Sequence, residues 1–229
     1  MGRTRPPVLA QRNFQRHKGE LERLNLGEKF REIFRKNIWG SAESTSGVGS
    51  TIDATEAVRA GLLSVCEEFS VKSLLDAPCG DYGWMSSLRL PLERYIGVDI
   101  VPELIERNRS LHLSQFVQFA VADLTSDELA TADAILCRDC LVHLSFENIR
   151  RVLANFARSG ATYLLTTTFP EHDRNTDIED GDWRLLNLQL APFHFPEPLR
   201  LINERCTEID GAYDDKSLAL WRTDSLPLG

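Results

Sequence analysis

Ser73-Leu-Leu-Asp-Ala-Pro-Cys-Gly-Asp-Tyr-Gly-Trp-Met85 is a short apolar run that ends in an Asp-x-x-x-Gly-x-x-Gly turn. About 20 residues further on, Tyr95-Ile-Gly-Val-Asp99 is a second apolar run closed by an acid. The pair fits a nucleotide-type cofactor lying across the carboxyl ends of parallel strands. Small residues let the backbone approach the ligand, and a carboxylate at the next strand end can accept from both ribose hydroxyls.

The chemistry of the turn separates two cofactor classes. A dinucleotide site uses G-x-G-x-x-G to bring a pyrophosphate to a helix N-terminus. Here the turn carries Asp76 and Asp81, which repel phosphate and suit a ligand bearing an amino group and a sulfonium charge. The segment resembles motif I of the class I S-adenosylmethionine-dependent methyltransferases, with Asp99 in the place of their ribose acid. It departs from the usual D-x-G-x-G-x-G, because Ala77 and Pro78 stand in the first glycine region. The resemblance implies S-adenosylmethionine as cofactor, with Asp76, Gly80 and Asp81 framing its methionyl part. Ala77, Pro78, Cys79, Trp84 and Ile100 are cofactor-binding positions on the same ground, and Arg59 is a candidate for the methionyl carboxylate.

Further strands follow at the intervals this family requires. Phe119-Ala-Val-Ala-Asp123 is a third acid-ended run, and the resemblance places Asp123 and Leu124 at the adenine. Asp133 to His143 reads as a fourth strand and the start of its helix, with Cys137 and Arg138 beside the cofactor, and Tyr163 to Phe169 as a fifth. Residues 198–206 and 216–222 alternate like two strands joined through Asp210-Gly211. An antiparallel C-terminal hairpin belongs to the methyltransferase sheet and not to dinucleotide dehydrogenases. The implied fold is α/β: a doubly wound, mostly parallel seven-stranded sheet with helices on both faces and an N-terminal helical extension. We expect an arm and lid over 1–52 and the methyltransferase domain over 53–229, the resemblance itself covering about 53–222.

Helix signals agree with this order. Pro102 sits at the start of a helix expected to reach about Ser110, where its missing amide hydrogen is harmless. Ser145 caps a run with Ile149, Val152, Leu153 and Phe156 at helical spacing, and Gly160 stops it. Thr51 or Asp53 can cap the helix from about Ala54 to Phe69.

The 229 residues, 42% of them hydrophobic, can bury a full core. No apolar run spans a bilayer. The net charge of -8 is uneven: residues 1–38 hold ten Lys/Arg and four Glu, a balance of +6, which leaves -14 elsewhere. A basic arm can touch nucleic acid, a membrane or an acidic partner. Interspersed acids and the apolar set Leu21, Leu24, Leu26, Phe30, Ile33 and Phe34 favour one amphipathic helix, to about Lys36, packed on the domain; the tip to about Gln11 reads as poorly ordered. The acidic body argues against a broad duplex-binding face. Five cysteines (Cys66, Cys79, Cys137, Cys140, Cys206) without a leader point to the reducing cytoplasm, and Cys137-x-x-Cys140 reads as structural thiols.

Methyl transfer from a sulfonium needs alignment, desolvation and, for a hydroxyl or protonated amine, a base. Asp139 and His143, four apart, would share a face if a helix began at Asp139, giving an acid-oriented imidazole; Arg138 completes the catalytic candidates. The Gly/Ser-rich stretch 38–51 contains Trp39, a ring for which a plain linker has no use, and reads as a lid. The long run 170–198 supplies His172, Asn175, Asp177, Trp183 and Arg184, which with Trp39 are the substrate-binding candidates for a polar small molecule. No metal is expected. The sequence thus reads as a methyltransferase acting on an oxygen, before a nitrogen, of a small polar acceptor. A catalytically silent cofactor-binding scaffold, and a nucleic-acid or protein N-methyltransferase, are the alternatives.

Overall fold

The computed structural model describes residues 5–227; the first four residues, with Arg3 and the extreme tip, and the last two lie outside that description. The chain runs through helices α1 (Leu9–Leu21), α2 (Leu26–Arg35) and α3 (Glu56–Glu68) to strand β1 (Ser73–Asp76) and the single turn α4 (Gly83–Ser86). Next come β2 (Arg94–Asp99), α5 (Pro102–His112), β3 (Val117–Val121), β4 (Ala134–Cys137), α6 (Phe146–Arg158) and β5 (Tyr163–Thr168). β6 (Arg200–Asn203), the short α7 (Glu208–Gly211) and β7 (Ser217–Arg222) complete it.

The strands form one sheet in the order β3-β2-β1-β4-β5-β7-β6, parallel from β3 to β5 and antiparallel at β7 and β6. This is the α/β sheet and C-terminal hairpin that the sequence implied. Successive strand residues enter opposite cores. Leu75, Ile96 and Ile135 pack with Ile149, Val152 and Phe156 of α6, whereas Leu74, Tyr95 and Ala134 pack with Val58, Leu62 and Val65 of α3. Both cores are apolar and helix-covered, as a parallel sheet requires. Chain order reverses between β1 and β4, so a crevice opens beyond their carboxyl ends.

Several local expectations change. The arm is two helices, because Asn25 starts α2 afresh with a capping box: its side chain accepts from Glu28 N at 3.0 Å, and the Glu28 carboxylate accepts from Asn25 N at 3.1 Å. The arm is also ordered well before Gln11. Val8 is buried, Arg5 forms a buried ion pair with Asp215, and Tyr213 donates to the Pro6 carbonyl. Helix α3 starts at Glu56 with neither Thr51 nor Asp53 capping it; the Thr51 hydroxyl caps the preceding turn at Ala54 N. Asp139 does not begin a helix. Its φ of 51° is left-handed, His143 ends a single 3-10 turn (Leu141–His143), and the true helix waits for Phe146.

Candidate functional site

An open cavity of about 1040 Å³ lies over the carboxyl ends of β1, β2 and β4. Its floor is the β1 turn, Pro78, Cys79, Gly80 and Asp81, with Trp84 beyond, while Ile100, Val101, Leu104 and Leu124 give an apolar flank. Asp76, Asp81, Asp99, Asp123 and Asp139 all line it, against Arg138 as the one lining arginine or lysine among the described residues. Ala77 and Cys137 are fully buried beneath and do not line it.

Two of these acids are buried, and no cation among the described residues forms an ion pair with either. Asp76 accepts from the Tyr95 hydroxyl at 2.6 Å through one oxygen, and its other oxygen takes no hydrogen bond from the described residues. Burial pushes its carboxyl up to about 7. Asp99 accepts from Gly80 N at 3.1 Å and Val101 N at 2.9 Å, one on each oxygen, and burial lifts it to about 6. Asp123 accepts from Thr125 N at 2.8 Å and from the Thr125 hydroxyl at 2.7 Å at the lip.

Asp81 also lines this cavity, with a carboxylate already held by several donors. Its carboxylate accepts from Ser44 Oγ at 2.8 Å, Thr45 N at 2.9 Å and Gly83 N at 3.1 Å, and Asp81 N donates to Ser46 Oγ at 3.0 Å. It therefore fastens segment 38–51 down over the turn. Gly80, at φ 53°, lets that segment approach, because a Cβ there would collide with Ser46. Asn108 of α5, which sequence reasoning missed, donates to Gly80 O at 2.8 Å from below.

Arg138, Glu204, Asp139 and Lys216 form a buried charge set at the carboxyl ends of β4 and β6 and the start of β7. Arg138 donates to Glu204 at 2.6 Å and to Gly49 O at 2.8 Å, and Lys216 reaches Asp139 at 2.6 Å and Glu204 at 3.4 Å. Burial resists the charge on Asp139, yet Lys216 and Arg138 outweigh it and hold the carboxyl down at about 2. Glu204 and Lys216 carried no motif signal, since each lies in the hairpin, far along the chain from Arg138.

His143 is oriented by a carbonyl and not by Asp139. Its Nδ1 lies 2.8 Å from Asp182 O, which fixes the proton on Nδ1 and leaves Nε2 as a lone pair with no partner among the described residues. Burial lowers its pKa to about 4. Trp39 lies against it, ring centroids 5.0 Å apart, and both rings line this cavity and a second one of about 550 Å³.

The long run 170–198 does mostly internal work. Arg184 donates to Leu141 O and Leu144 O, both at 2.8 Å, bracing the turn that carries His143. Asp177 accepts from Phe146 N at 2.7 Å at the start of α6. Asn175 binds Asn187 O at 2.8 Å and Ala191 O at 2.9 Å, and His172 gives its carbonyl to Asn187. These four expected substrate residues line neither cavity; Trp183 lines the second. Arg59 also stands outside, its guanidinium on Ile52 O at 3.1 Å. In their stead α2 supplies Leu26, Phe30 and Phe34 as a wall of the first cavity. An amphipathic helix gave the signal, but not which apolar residues face the core and which face a ligand.

No group of three or more His, Cys, Asp or Glu that could hold a metal ion occurs among the described residues, and no helix there is long and apolar enough to cross a membrane. Residues 74–161 match the family model described as a methyltransferase domain. The fold is similar to that of 1,6-didemethyltoxoflavin-N1-methyltransferase from Burkholderia thailandensis, solved with its substrate and S-adenosylhomocysteine (15% identity, TM-score 0.58, 96% of this chain and 92% of that one covered). It is similar to the N-methyltransferase NodS of Bradyrhizobium japonicum WM9 with S-adenosylhomocysteine (12% identity, TM-score 0.56, 86% and 98% covered). Human N-acetylserotonin methyltransferase with S-adenosylmethionine is a third (12% identity, TM-score 0.59, 92% and 66% covered). No curated protein matches the sequence.

Proposed function

We propose, from the premise that this chain is an S-adenosylmethionine-dependent methyltransferase by its domain match and its fold, that it methylates an oxygen of a small acceptor held in the second cavity. The residues present fit the cofactor. Five carboxylates and an apolar flank suit a cationic sulfonium with an adenosine body, and the unpartnered Asp76 oxygen is ready for an ammonium hydrogen. Asp76 would hold the amino group, Asp99 the ribose hydroxyls and Asp123 the adenine, with Ile100 and Leu124 against the ring; Pro78, Cys79, Gly80 and Trp84 shape the floor. Bound there, the cofactor supplies a methyl group on an already activated leaving group.

His143 carries the reading of the acceptor. A neutral imidazole with its Nδ1 proton committed to a carbonyl presents a bare Nε2 on a ring shared by the two cavities. An acceptor hydroxyl at that neck would pass its proton to Nε2 as its oxygen forms the new bond to the methyl carbon. With the cofactor bound, methyl transfer would leave the carbon–sulfur electron pair on sulfur, and His143 would release the proton to solvent. Trp39 and the segment fastened by Asp81 exclude water; Arg138 holds that segment at Gly49 and positions Asp139. The basic arm supports a small acceptor over a nucleic acid, because Arg5, Lys29, Arg31 and Arg35 are engaged with Asp215, Glu179 and Glu103 of the body.

Incubating cell extract with the full chain and isotopically labelled methyl donor, followed by mass spectrometry, reads the acceptor directly. A small labelled methyl ether is the expected product, and His143→Ala lowers its rate of formation about 100-fold or more. Label confined to RNA, DNA or protein overturns the reading.

A further inference from the structure

The second cavity shares Trp39, Ser46, Asp139 and His143 with the first and extends away from them to Glu208, Tyr213 and Lys216. Its walls are rings. Trp183 stands edge-on to Tyr213 with centroids 5.3 Å apart and to Phe169 at 6.1 Å, and the Tyr213 hydroxyl is anchored on the Pro6 carbonyl. Rings of this kind present negative faces that attract cations as readily as they bury apolar surface.

The charges at the far end do not balance. Arg138 and Lys216 are matched by Glu204 and Asp139, all four within one set of ion pairs. Glu208 stands outside that set. Its half-buried carboxylate makes no hydrogen bond or ion pair with the described residues, and burial pushes its pKa up. Lys216 and Arg138 act on it only through space, and each is already committed, to Asp139 and to Glu204, both at 2.6 Å. The backbone that carries Glu208 is unusual as well, because Ile209 (φ 51°, ψ 57°) and Asp210 (φ 53°, ψ 37°) are successive left-handed residues. A β-branched side chain resists that conformation, and strain of this kind gathers at ligand sites. A carboxylate held beside aromatic rings without a cation of its own describes half of an ammonium site.

We propose that the acceptor is a small hydroxylated organic amine, its ammonium group seated between Glu208 and the Trp183–Tyr213 rings and its hydroxyl at His143. The proposal rests on the methyl-transfer reading above and adds the charge of the acceptor to it. Carboxylated and phosphorylated acceptors are repelled by Asp139 and Glu208. Neutral ones leave Glu208 unpaired.

The test uses the full chain saturated with S-adenosylhomocysteine, titrated by calorimetry with three probes sharing one 4-hydroxyphenylethyl frame: cationic tyramine, neutral N-acetyltyramine and anionic hydroxyphenylpropionate. Tyramine is expected to bind at least tenfold more tightly than either analogue, and Glu208→Gln to erase that preference. Equal binding of the three, preference for the neutral or anionic probe, or no binding of tyramine overturns the proposal, as does a preference that survives Glu208→Gln. Failure of S-adenosylhomocysteine itself to bind is a separate result, and it strikes the methyltransferase reading instead.

Discussion

Asp76 and Asp99 show how a single carboxylate ties the site to the stability of the fold. Burial lifts them to about 7 and about 6, above the ordinary value of 3.8, so the folded protein keeps protons there that the unfolded chain releases. Their contribution to stability is full below that ordinary value and is lost as pH rises through about 6 to 7. A cationic ligand favours the ionised forms, so affinity for S-adenosylmethionine should run the other way. We expect the dissociation constant, measured by calorimetry, to tighten about tenfold between about pH 5.5 and 7.5, and Asp76→Asn to flatten that dependence. Asp99→Ala should weaken binding at pH 7 by about 1–3 kcal/mol, the scale of lost charged hydrogen bonds; unchanged affinity removes Asp99 from the site. His143 titrates near 4, so turnover corrected for donor occupancy should stay level from about pH 6 to 8.

Among the elements, the strands were legible and the loops were not, and the reason is physical. β1 and β2 are short apolar runs, each closed by a single acid at its carboxyl end, so Asp76 and Asp99 could be placed from the sequence. The 170–198 run is ambiguous by composition. Asn, Asp and Arg suit a ligand, and they suit equally well a chain that must satisfy its own buried backbone. Here the second use prevails: Asn175, Asp177 and Arg184 bond to main-chain groups, and the loop becomes the scaffold of His143. Arg184→Ala should thus cost about 1–3 kcal/mol in urea unfolding, because it strips partners from two buried carbonyls. It should slow methyl transfer while leaving S-adenosylhomocysteine affinity within about twofold; weakened cofactor binding with normal turnover contradicts this. The partner of Asp81 was illegible for another reason. Ser44 and Thr45 lie far upstream in a segment with no periodic pattern, and only the fold brings them to the turn.

On the scale of the whole molecule, the sheet order opens a crevice at the β1/β4 reversal, and four separate stretches close over it. The turn after β1 gives the floor, α2 and segment 38–51 the walls, and the hairpin part of the buried charge set. The arm and the domain are chemically joined across this opening, since Arg31 and Arg35 of α2 meet Glu103 of α5. Exposed pairs of this kind add little to stability, but they set where Phe30 and Phe34 sit. Site and fold therefore rest on one arrangement: acid-ended strands gathered beneath α2 and segment 38–51. A crystal structure of the full chain grown with S-adenosylhomocysteine tests it most directly. The account predicts the ribose within hydrogen-bonding distance of Asp99, the adenine beside Leu124 and the amino group at Asp76. Density for the ligand elsewhere, with the groove between Asp76 and Asp99 filled only by water, would contradict it.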